Sequence, residues 1–356
     1  MCREGAGEVA CWSTSRAENR LREGNIMARF FQATDADPAV LHGKTIAVIG
    51  YGNQGRAQAI NLRRAGHRVL VGNQEDESFA QARADGFETL AMDAAAARAE
   101  VVMLLLPDEI APKIYEPMIR PHLTAAKTLV FASGYNITYN FIAAPPDVDV
   151  VLVAPRMIGQ GVLELPQRGE GFPALVGVGQ DASGRAWATT LALAHGIGAF
   201  LAHGAVVESS FQEETLVDLF SEHTWAGAML FLLERGFELL VEAGVAPEVA
   251  MLELYASGEL GEIGRAMATM GFWSQLRLHS HTSQFGQLTH GPQFIGAETE
   301  TLMRKAIAEI RDGTFARRWG AEQAAGLPEF NRLLGEVLGS PLARAEQELY
   351  TRMGRR

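Results

Sequence analysis

The sequence predicts an α/β fold in which a doubly wound parallel sheet occupies the amino-terminal half and an all-helical domain the carboxy-terminal half. As far as about residue 207, short β-branched runs without a polar face alternate with helical segments, which is typical of buried parallel strands joined by helices. Beyond that point the strand runs stop and long helical patterns follow. We therefore expect a sheet domain over residues 27–207 and a helical domain over residues 208–356.

Composition and charge exclude several classes of protein. The 356 residues include 31 Lys and Arg against 42 Asp and Glu, a net charge of −11, which argues against nucleic acid or an anionic membrane as the main partner. No apolar run approaches the ~20 residues of a membrane-spanning helix. Because 2 cysteines are too few for a disulfide scaffold, we expect a cytoplasmic protein. Residues 1–26 lack strand or helix periodicity and are expected to be a disordered extension, with a functional arm as the alternative.

The first predicted strand, residues 44–49, runs directly into Gly50-Tyr51-Gly52-Asn53-Gln54-Gly55 and then a helical segment. In this G-x-G-x-x-G pattern Gly50 allows a tight turn, Gly52 lets the backbone approach a pyrophosphate, and Gly55 lets helix and strand pack closely. The unpaired N–H groups at the helix start would bind the phosphates. The six residues are therefore predicted to bind a dinucleotide, as in a Rossmann-type fold, and a merely tight turn is the alternative.

The end of the second strand, residues 68–71, bears on the choice of cofactor. It is followed by Gly72-Asn73-Gln74-Glu75-Asp76-Glu77-Ser78, and no Lys or Arg lies between Arg68 and Arg83. Carboxylates here could accept a hydrogen bond from a ribose hydroxyl and would repel a 2′-phosphate. We predict that NADH is preferred over NADPH, with Asn73, Glu75 and Ser78 near the cofactor, whereas a solvated acidic loop is the alternative.

Further strand-like runs cover residues 101–106, 128–131 and 148–153, and each ends in a polar or flexible cluster. Ligands of such sheets bind outside the carboxyl ends of the strands, so these clusters are predicted to frame the nicotinamide, although each alone could be a turn. The clusters are Pro107-Asp108-Glu109, Ser133-Gly134-Tyr135-Asn136 and Pro155-Arg156-Met157-Ile158-Gly159.

In the helical half, Asp218 and Glu222 have i, i+4 spacing and therefore point from one helix face. Like charges at that spacing repel each other, and no Lys or Arg lies between Arg185 and Arg235 to neutralise them. A Mg²⁺ ion would resolve the repulsion, because carboxylate oxygens and waters are its preferred ligands. The alternative is a solvated or partner-paired acidic stripe. Helices are predicted over residues 211–243, 247–270, 299–311 and 328–339, and the polar run 280–287 is predicted to be a turn or a substrate loop.

Taken together, these residues resemble the shorter form of ketol-acid reductoisomerase, the Mg²⁺- and nicotinamide-dependent enzyme of branched-chain amino-acid synthesis. The similarity runs from about residue 27 to residue 353. It is most specific at Phe211-Gln212-Glu213-Glu214-Thr215, which leads into Asp218-Leu219-Phe220-Ser221-Glu222. The resemblance implies a small 2-keto or acetohydroxy acid as substrate, a knotted helical domain, and a homodimer or larger homo-oligomer.

The resemblance also implies roles for single residues. Asp218 and Glu222 match the metal-binding acids, with Asp218 matching the acid that bridges two Mg²⁺ ions, and Ser280 matches the serine that contacts the substrate carboxylate. A further acidic pair is expected from a second subunit. Glu253 matches its first member, but Ser257 stands at the second position, so Glu259 is the alternative ligand.

Two positions depart from the family pattern. Ser133 stands where the family has a histidine, and Arg156 stands where it has a lysine. Arginine keeps the positive charge but does not exchange a proton near neutral pH. Reduction of the substrate is therefore favoured over the preceding alkyl migration. Three hypotheses stay open, namely a full ketol-acid reductoisomerase, a specialised reductase of another 2-keto or 2-imino acid, and a non-catalytic cofactor-binding regulator.

Overall fold

The computed structural model describes residues 28–355, and the chain divides after Phe211 into two compact units. The prediction made for residues 1–26 lies outside the described residues. The first unit is built on one sheet of nine strands. These strands are β1 (Phe30–Phe31), β2 (Thr45–Ile49), β3 (Arg68–Gly72), β4 (Glu88–Leu90), β5 (Val101–Leu104), β6 (Thr128–Phe131), β7 (Asp149–Pro155), β8 (Pro173–Gln180) and β9 (Ala205–Glu208).

The sheet has the order β1-β9-β8-β7-β6-β5-β2-β3-β4 and is mostly parallel. Only two neighbouring pairs are antiparallel, β7 with β8 and β1 with β9. Strands β7, β6, β5 and β2 are adjacent and parallel, so the loops that follow them emerge at one edge of the sheet. Every residue of β2 is buried, which fits its continuous β-branched sequence.

Within the described part of this unit, seven α-helices connect these strands, and separate apolar clusters form where they cover the sheet. Helix α1 begins after Gly52, and Gly66, whose φ is +89°, follows its carboxyl end, a conformation that glycine adopts without strain. The helices are α1 (Asn53–Arg64), α2 (Glu77–Ala84), α3 (Met92–Arg98), α4 (Ala111–Ile114), α5 (Tyr135–Thr138), α6 (Gly159–Gln167) and α7 (Ala186–Gly196). Short 3₁₀ turns cover Ala33–Asp35, Pro38–Leu41 and Arg120–His122, and a π-helix covers Tyr115–Ile119.

The predicted α/β class is confirmed, and so are the five predicted strands, within one or two residues at their ends. Strands β1, β4, β8 and β9 were not predicted. Three of them have only two to four residues, and β8 contains Pro173 and two glycines, which hide a strand pattern. The predicted doubly wound parallel sheet is extended at one side by the antiparallel pairs β7–β8 and β1–β9.

The second unit is helical throughout its described part. Its helices are α8 (Phe211–Ser221), α9 (Gly227–Glu242), α10 (Pro247–Met251), α11 (Glu259–Met270), α12 (His281–His290), α13 (Ala297–Arg311), α14 (Thr314–Ala324), α15 (Pro328–Leu338) and α16 (Pro341–Arg352). Two π-helices, Glu222–Ala226 and Leu252–Ala256, interrupt the long helices that were predicted, and 3₁₀ turns cover Ser274–Leu278 and Gly291–Phe294.

The prediction of a turn or a substrate loop over residues 280–287 is wrong, because this run begins helix α12. Its Ser, Thr and His residues are weak helix formers, but Ser280 caps the helix by accepting a hydrogen bond from the Ser283 N–H at 3.2 Å. Helices α14 and α16 were also missed by the sequence analysis.

The second unit has a small apolar core and a large exposed apolar surface. Its buried cluster consists of Phe237, Ala250, Met251, Ala256 and Leu349. Many large apolar side chains elsewhere in the unit are exposed, and helix α9 alone exposes Leu230, Phe231, Leu232 and Leu239. Over residues 28–355, none of the helices is both long enough and apolar enough to cross a membrane.

Candidate functional site

The glycine-rich turn between β2 and α1 is fixed by close backbone contacts. Gly50 has a φ of +95°, and a Cβ there would lie 2.8 Å from the Leu105 carbonyl oxygen. A Cβ on Gly55 would lie 1.9 Å from the Gly50 carbonyl oxygen, so helix and turn can meet only if this residue is glycine. At Gly52, by contrast, a Cβ would meet nothing within 4 Å, so the backbone of this residue is open on the side where a ligand could approach. The turn therefore has the geometry of a pyrophosphate cradle.

Tyr51 attaches this turn to the rest of the first unit. Its backbone N–H donates to Asn73 Oδ1 at 3.2 Å, and its hydroxyl donates to Asp85 Oδ2 at 2.8 Å. Arg56 Nε donates to the same carboxylate oxygen at 2.8 Å. Asp85 thus joins the turn to the carboxyl end of α2. Asp85 was not among the predicted residues, since it lies 34 residues from Tyr51 and no spacing rule connects the two.

These contacts shift the ionisation of both side chains. Hydrogen bonds from Arg56 first, and then from Tyr51 and Gln81, hold the pKa of the Asp85 carboxyl below its usual value against the opposing effect of partial burial. Burial, followed by the hydrogen bond to Asp85, raises the pKa of the Tyr51 phenol, so it remains a donor at neutral pH.

A cavity of about 420 Å³ lies beyond the carboxyl end of β3. No Lys or Arg is among the described residues that line it, and Glu75 is the only carboxylate there. Its walls are otherwise mostly apolar, as an adenosine site requires. The lining residues are Asn73, Gln74, Glu75, Phe79, Thr89, Leu90, Ala91, Met92, Ile114 and Met118.

The three consecutive acids of this loop have different structural positions. Asp76 caps helix α2, since its Oδ1 accepts from the Phe79 N–H at 3.0 Å and from Asn73 Nδ2 at 2.9 Å. Glu77 is the first residue of that helix, and the half-buried Ser78 follows it. Neither Glu77 nor Ser78 lines the cavity. Of the predicted cofactor residues in this loop, only Asn73 and Glu75 therefore border the space that a nucleotide could occupy.

The loops after β5 and β6 meet through Asp108. Ser133 Oγ donates to Asp108 Oδ2 at 3.2 Å, and Asn136 Nδ2 donates to Asp108 Oδ1 at 3.2 Å. The exposed Pro107 begins the first loop, and its carbonyl accepts from the N–H groups of residues 110 and 111. Gly134 is buried and precedes helix α5. The structure thus brings the predicted residues of these two loops together.

The loop after β7 lies against the start of α1. The Arg156 N–H donates to the Pro173 carbonyl at 2.8 Å, which fixes the half-buried Arg156 at the end of the strand. A Cβ on Gly159 would lie 1.9 Å from Asn53 Oδ1, so this residue can approach the helix only as glycine. The Gln54 side chain donates to the Met157 carbonyl at 2.8 Å. Predicted cofactor residues Asn53 and Gln54 therefore contact this loop.

In the helical unit, Asp218 lies in α8 and Glu222 is the first residue of the following π-helix. Asp218 is half-buried and Glu222 is exposed. The Gly227 N–H donates to the Glu222 carbonyl, the wider spacing that defines a π turn and that often accompanies functional sites. Two carboxylates one helical turn apart, with solvent access, fit a Mg²⁺ ion that keeps several waters.

The other predicted ligands lie elsewhere in the same unit. Glu253 is exposed in the second π-helix, and Glu259 is exposed at the start of α11. Among residues 28–355, no group of three or more His, Cys, Asp or Glu side chains is close enough to hold a metal ion. The two acidic pairs are therefore not united within one chain. Ser280 caps α12 through its hydroxyl oxygen, which accepts a hydrogen bond from the Ser283 N–H at 3.2 Å.

Family profiles match nearly the whole described chain. A profile described as "Acetohydroxy acid isomeroreductase, NADPH-binding domain" matches residues 40–203. A second, described as "Ketol-acid reductoisomerase, C-terminal domain", matches residues 211–355.

Curated relatives and solved structures agree with these profiles. A "Putative ketol-acid reductoisomerase 3" of Saccharolobus solfataricus is 47% identical, over 89% of this chain and 96% of the relative. A "Ketol-acid reductoisomerase (NADP(+))" of Pyrobaculum neutrophilum is 42% identical, over 91% of this chain and 98% of the relative. The solved structure of an NADH-preferring ketol-acid reductoisomerase from an uncultured archean has a TM-score of 0.86 and 36% identity, and covers 91% of this chain and 98% of its own.

The Asp85 contacts lead to a prediction about stability. Replacing Asp85 with Ala should lower the free energy of unfolding by about 1 kcal/mol at pH 7, because Arg56 is partly exposed and screened by solvent. Since the pKa of Asp85 is lowered by folding, its contribution is complete above the ordinary carboxyl pKa and fades as the pH falls through the folded value. Urea unfolding at pH 7 and below pH 3 would measure both effects.

Asp147→Ala serves as the control, since Asp147 is exposed and its side chain makes no hydrogen bond to another described residue. An equal loss for Asp85→Ala at both pH values would contradict the electrostatic explanation and favour simple packing.

Proposed function

Because this chain belongs to the ketol-acid reductoisomerase family and is an NAD(P)-dependent oxidoreductase, we propose that it reduces a small 2-keto acid with NADH and Mg²⁺. We further propose that the alkyl migration that precedes this reduction in the family is its weaker activity. The observation that carries this proposal is the contact between Ser133 and Asp108, at the position where the family has a histidine.

The chemistry of the two substituted side chains supports a stronger reductase. The Ser133 hydroxyl can donate to Asp108, as it does at 3.2 Å, but it does not take up and release a proton near neutral pH as an imidazole does. The Arg156 guanidinium stays charged and can stabilise a negative oxygen without exchanging a proton. When bound, NADH supplies the hydride and Mg²⁺ polarises the substrate carbonyl. Reduction therefore depends less on the missing imidazole than migration does.

Two substrates separate the two activities. The enzyme should reduce 3-hydroxy-3-methyl-2-oxobutanoate, which needs no migration, at least tenfold faster than it converts 2-acetolactate, given that a positioned acid–base group contributes about 10²–10⁴-fold. Ser133→His should raise the rate with 2-acetolactate selectively. NADH oxidation followed at 340 nm measures both rates.

Ser133→Ala is the matched control, since it removes the hydroxyl without adding an imidazole. Equal rates for the two substrates, together with no gain from Ser133→His, would show that migration is fully retained and would refute the preference for reduction.

The preference for NADH is supported by Glu75. The relatives differ in their cofactor, since one is named for NADP(+) and the solved structure is called NADH-preferring. The cofactor preference of this chain must therefore be inferred from its own residues. Among the described residues that border the cavity of about 420 Å³, Glu75 is the only carboxylate, and no Lys or Arg is there to receive a 2′-phosphate. A carboxylate at this place would accept a hydrogen bond from the ribose and repel the phosphate.

Glu75→Arg should therefore lower the ratio of kcat/KM for NADH to kcat/KM for NADPH by about tenfold or more, since it exchanges repulsion of the 2′-phosphate for a charged hydrogen bond. Steady-state kinetics with both cofactors measure this ratio. Glu77→Arg is the control, because Glu77 lies in the same loop but outside the cavity. A similar change of this ratio in both variants would show that the preference for NADH arises from the overall negative charge of the loop and not from Glu75 itself.

We place Mg²⁺ at Asp218 and Glu222. Asp218→Asn should weaken Mg²⁺ binding at least tenfold, because an amide cannot replace the charge that the ion neutralises. Isothermal titration calorimetry of the full protein measures the affinity without any substrate. Glu234→Gln is the control, as it removes a carboxylate from helix α9 outside the proposed site. Undiminished binding in Asp218→Asn would place the ion elsewhere.

We also propose that two copies of the chain associate through the helical unit. The side chains of Trp225, Leu230 and Phe231 are 58%, 64% and 61% exposed, a level that is unusual for a stable surface in water. A second copy is the occupant that fits, because one chain does not unite the Asp218–Glu222 pair with Glu253 or Glu259. Association would bury the apolar faces and could bring the second acidic pair to the metal.

Analytical ultracentrifugation should then give a mass of at least twice 38.5 kDa at micromolar concentration. Phe231→Glu should shift the equilibrium toward the single chain, because it places a charge in a desolvated apolar contact. Lys305→Glu is the control on an exposed polar position. A monomeric wild-type protein would refute the proposal.

A further inference from the structure

We propose that Gln54 is a positioning residue that fixes the loop carrying Arg156, and that the cofactor is bound by the backbone around it. Gln54 is in the first turn of α1, within the glycine-rich pattern. Its Nε2 donates to the Met157 carbonyl at 2.8 Å, across 103 residues of sequence. Met157 follows Arg156 directly, so the bond fixes the backbone next to the residue that carries the guanidinium.

A second glutamine fixes the orientation of Gln54. Gln58 lies one helical turn later and is completely buried, and its Nε2 donates to Gln54 Oε1 at 3.2 Å. Because Gln54 Oε1 accepts this bond, its Nε2 must face the Met157 carbonyl. If the Gln58 amide were reversed, two oxygens would face each other. Gln58 therefore orients Gln54.

This orientation has a cost that indicates its purpose. The Oε1 of Gln58 is buried and has no hydrogen-bond partner among the described residues. An unsatisfied buried oxygen destabilises a fold, and an apolar residue of similar size would avoid it. If Gln58 only filled the core, an apolar residue would be more stable at this position. The hydrogen bond that Gln58 donates to Gln54 explains why a glutamine is present.

Two further contacts fix the same loop, one against α1 and one between the loop and the start of α6. The Gly159 backbone lies so close to Asn53 that a Cβ would fall 1.9 Å from Asn53 Oδ1. The Met157 side chain covers Gly161, where a Cβ would lie 2.3 Å from the Met157 Sδ. The loop is thus seated on the helix that begins the cofactor cradle. The glycine-rich turn and the loop that carries Arg156 are therefore packed against the same helix.

Hydrogen–deuterium exchange of the full-length protein tests the positioning role without any substrate. In Gln54→Leu, exchange in residues 156–161 should accelerate at least tenfold, while the NADH dissociation constant should change less than threefold because the backbone cradle is intact. Gln58→Met should accelerate the same segment while Tm stays equal or rises, since it removes the unsatisfied oxygen. Gln167→Leu is the control, because Gln167 also donates to a backbone carbonyl but lies at the far end of α6.

A double-mutant cycle tests the effect on turnover, and only this part depends on the proposed function. Gln54→Leu should lower kcat about tenfold in the wild-type background and less than twofold in the Arg156→Gln background, since both changes act through one group. Unchanged exchange in residues 156–161 would overturn the inference, as would a loss of NADH affinity as large as the loss of kcat. If no substrate is turned over, the exchange result still decides the inference and the failure belongs to the proposed function alone.

Discussion

The close approach of helix α1 to the end of strand β2 is the constraint on which the rest of the first unit depends. A Cβ on Gly55 would lie 1.9 Å from the Gly50 carbonyl oxygen, and a Cβ on Gly50 would lie 2.8 Å from the Leu105 carbonyl oxygen, so both positions exclude a side chain. This packing leaves the Gly52 backbone open at the start of the helix. It also places Tyr51 within reach of Asp85 and Gln54 within reach of Met157. Nucleotide cradle and neighbouring loops are therefore parts of one packed arrangement.

The helical unit is organised by a different principle. Its buried cluster is small for its length, and its large apolar side chains are mostly on the surface. Its acids occur in two separate places, and in each place one of them lies in a π-helix. A fold of this kind gains little from its own core, so association with another copy would supply both the missing burial and the missing ligands.

Particular residues show how far sequence reasoning reached. The glycine-rich turn and strands β2, β3, β5, β6 and β7 were predictable, because their signals are local. The acidic loop was predictable as a feature but not in its details, since helix capping by Asp76 depends on where α2 starts. Helix α12 was missed because its weak helix formers gave no periodic pattern, and Ser280 stabilises it only through a cap. Asp85 gave no signal, because its partners are distant in sequence.

The sequence by itself determined the class of fold, the glycine-rich turn and the family resemblance, since short motifs and apolar periodicity encode these directly. The tertiary structure decided which residues of those motifs face open space and which form hydrogen bonds with neighbouring parts of the protein. Glu75 borders the cavity while Asp76 caps a helix, and Gln54 contacts the loop of Arg156. The physical reason is that a side chain has few hydrogen-bonding atoms, and only the packed fold determines which partner reaches them first.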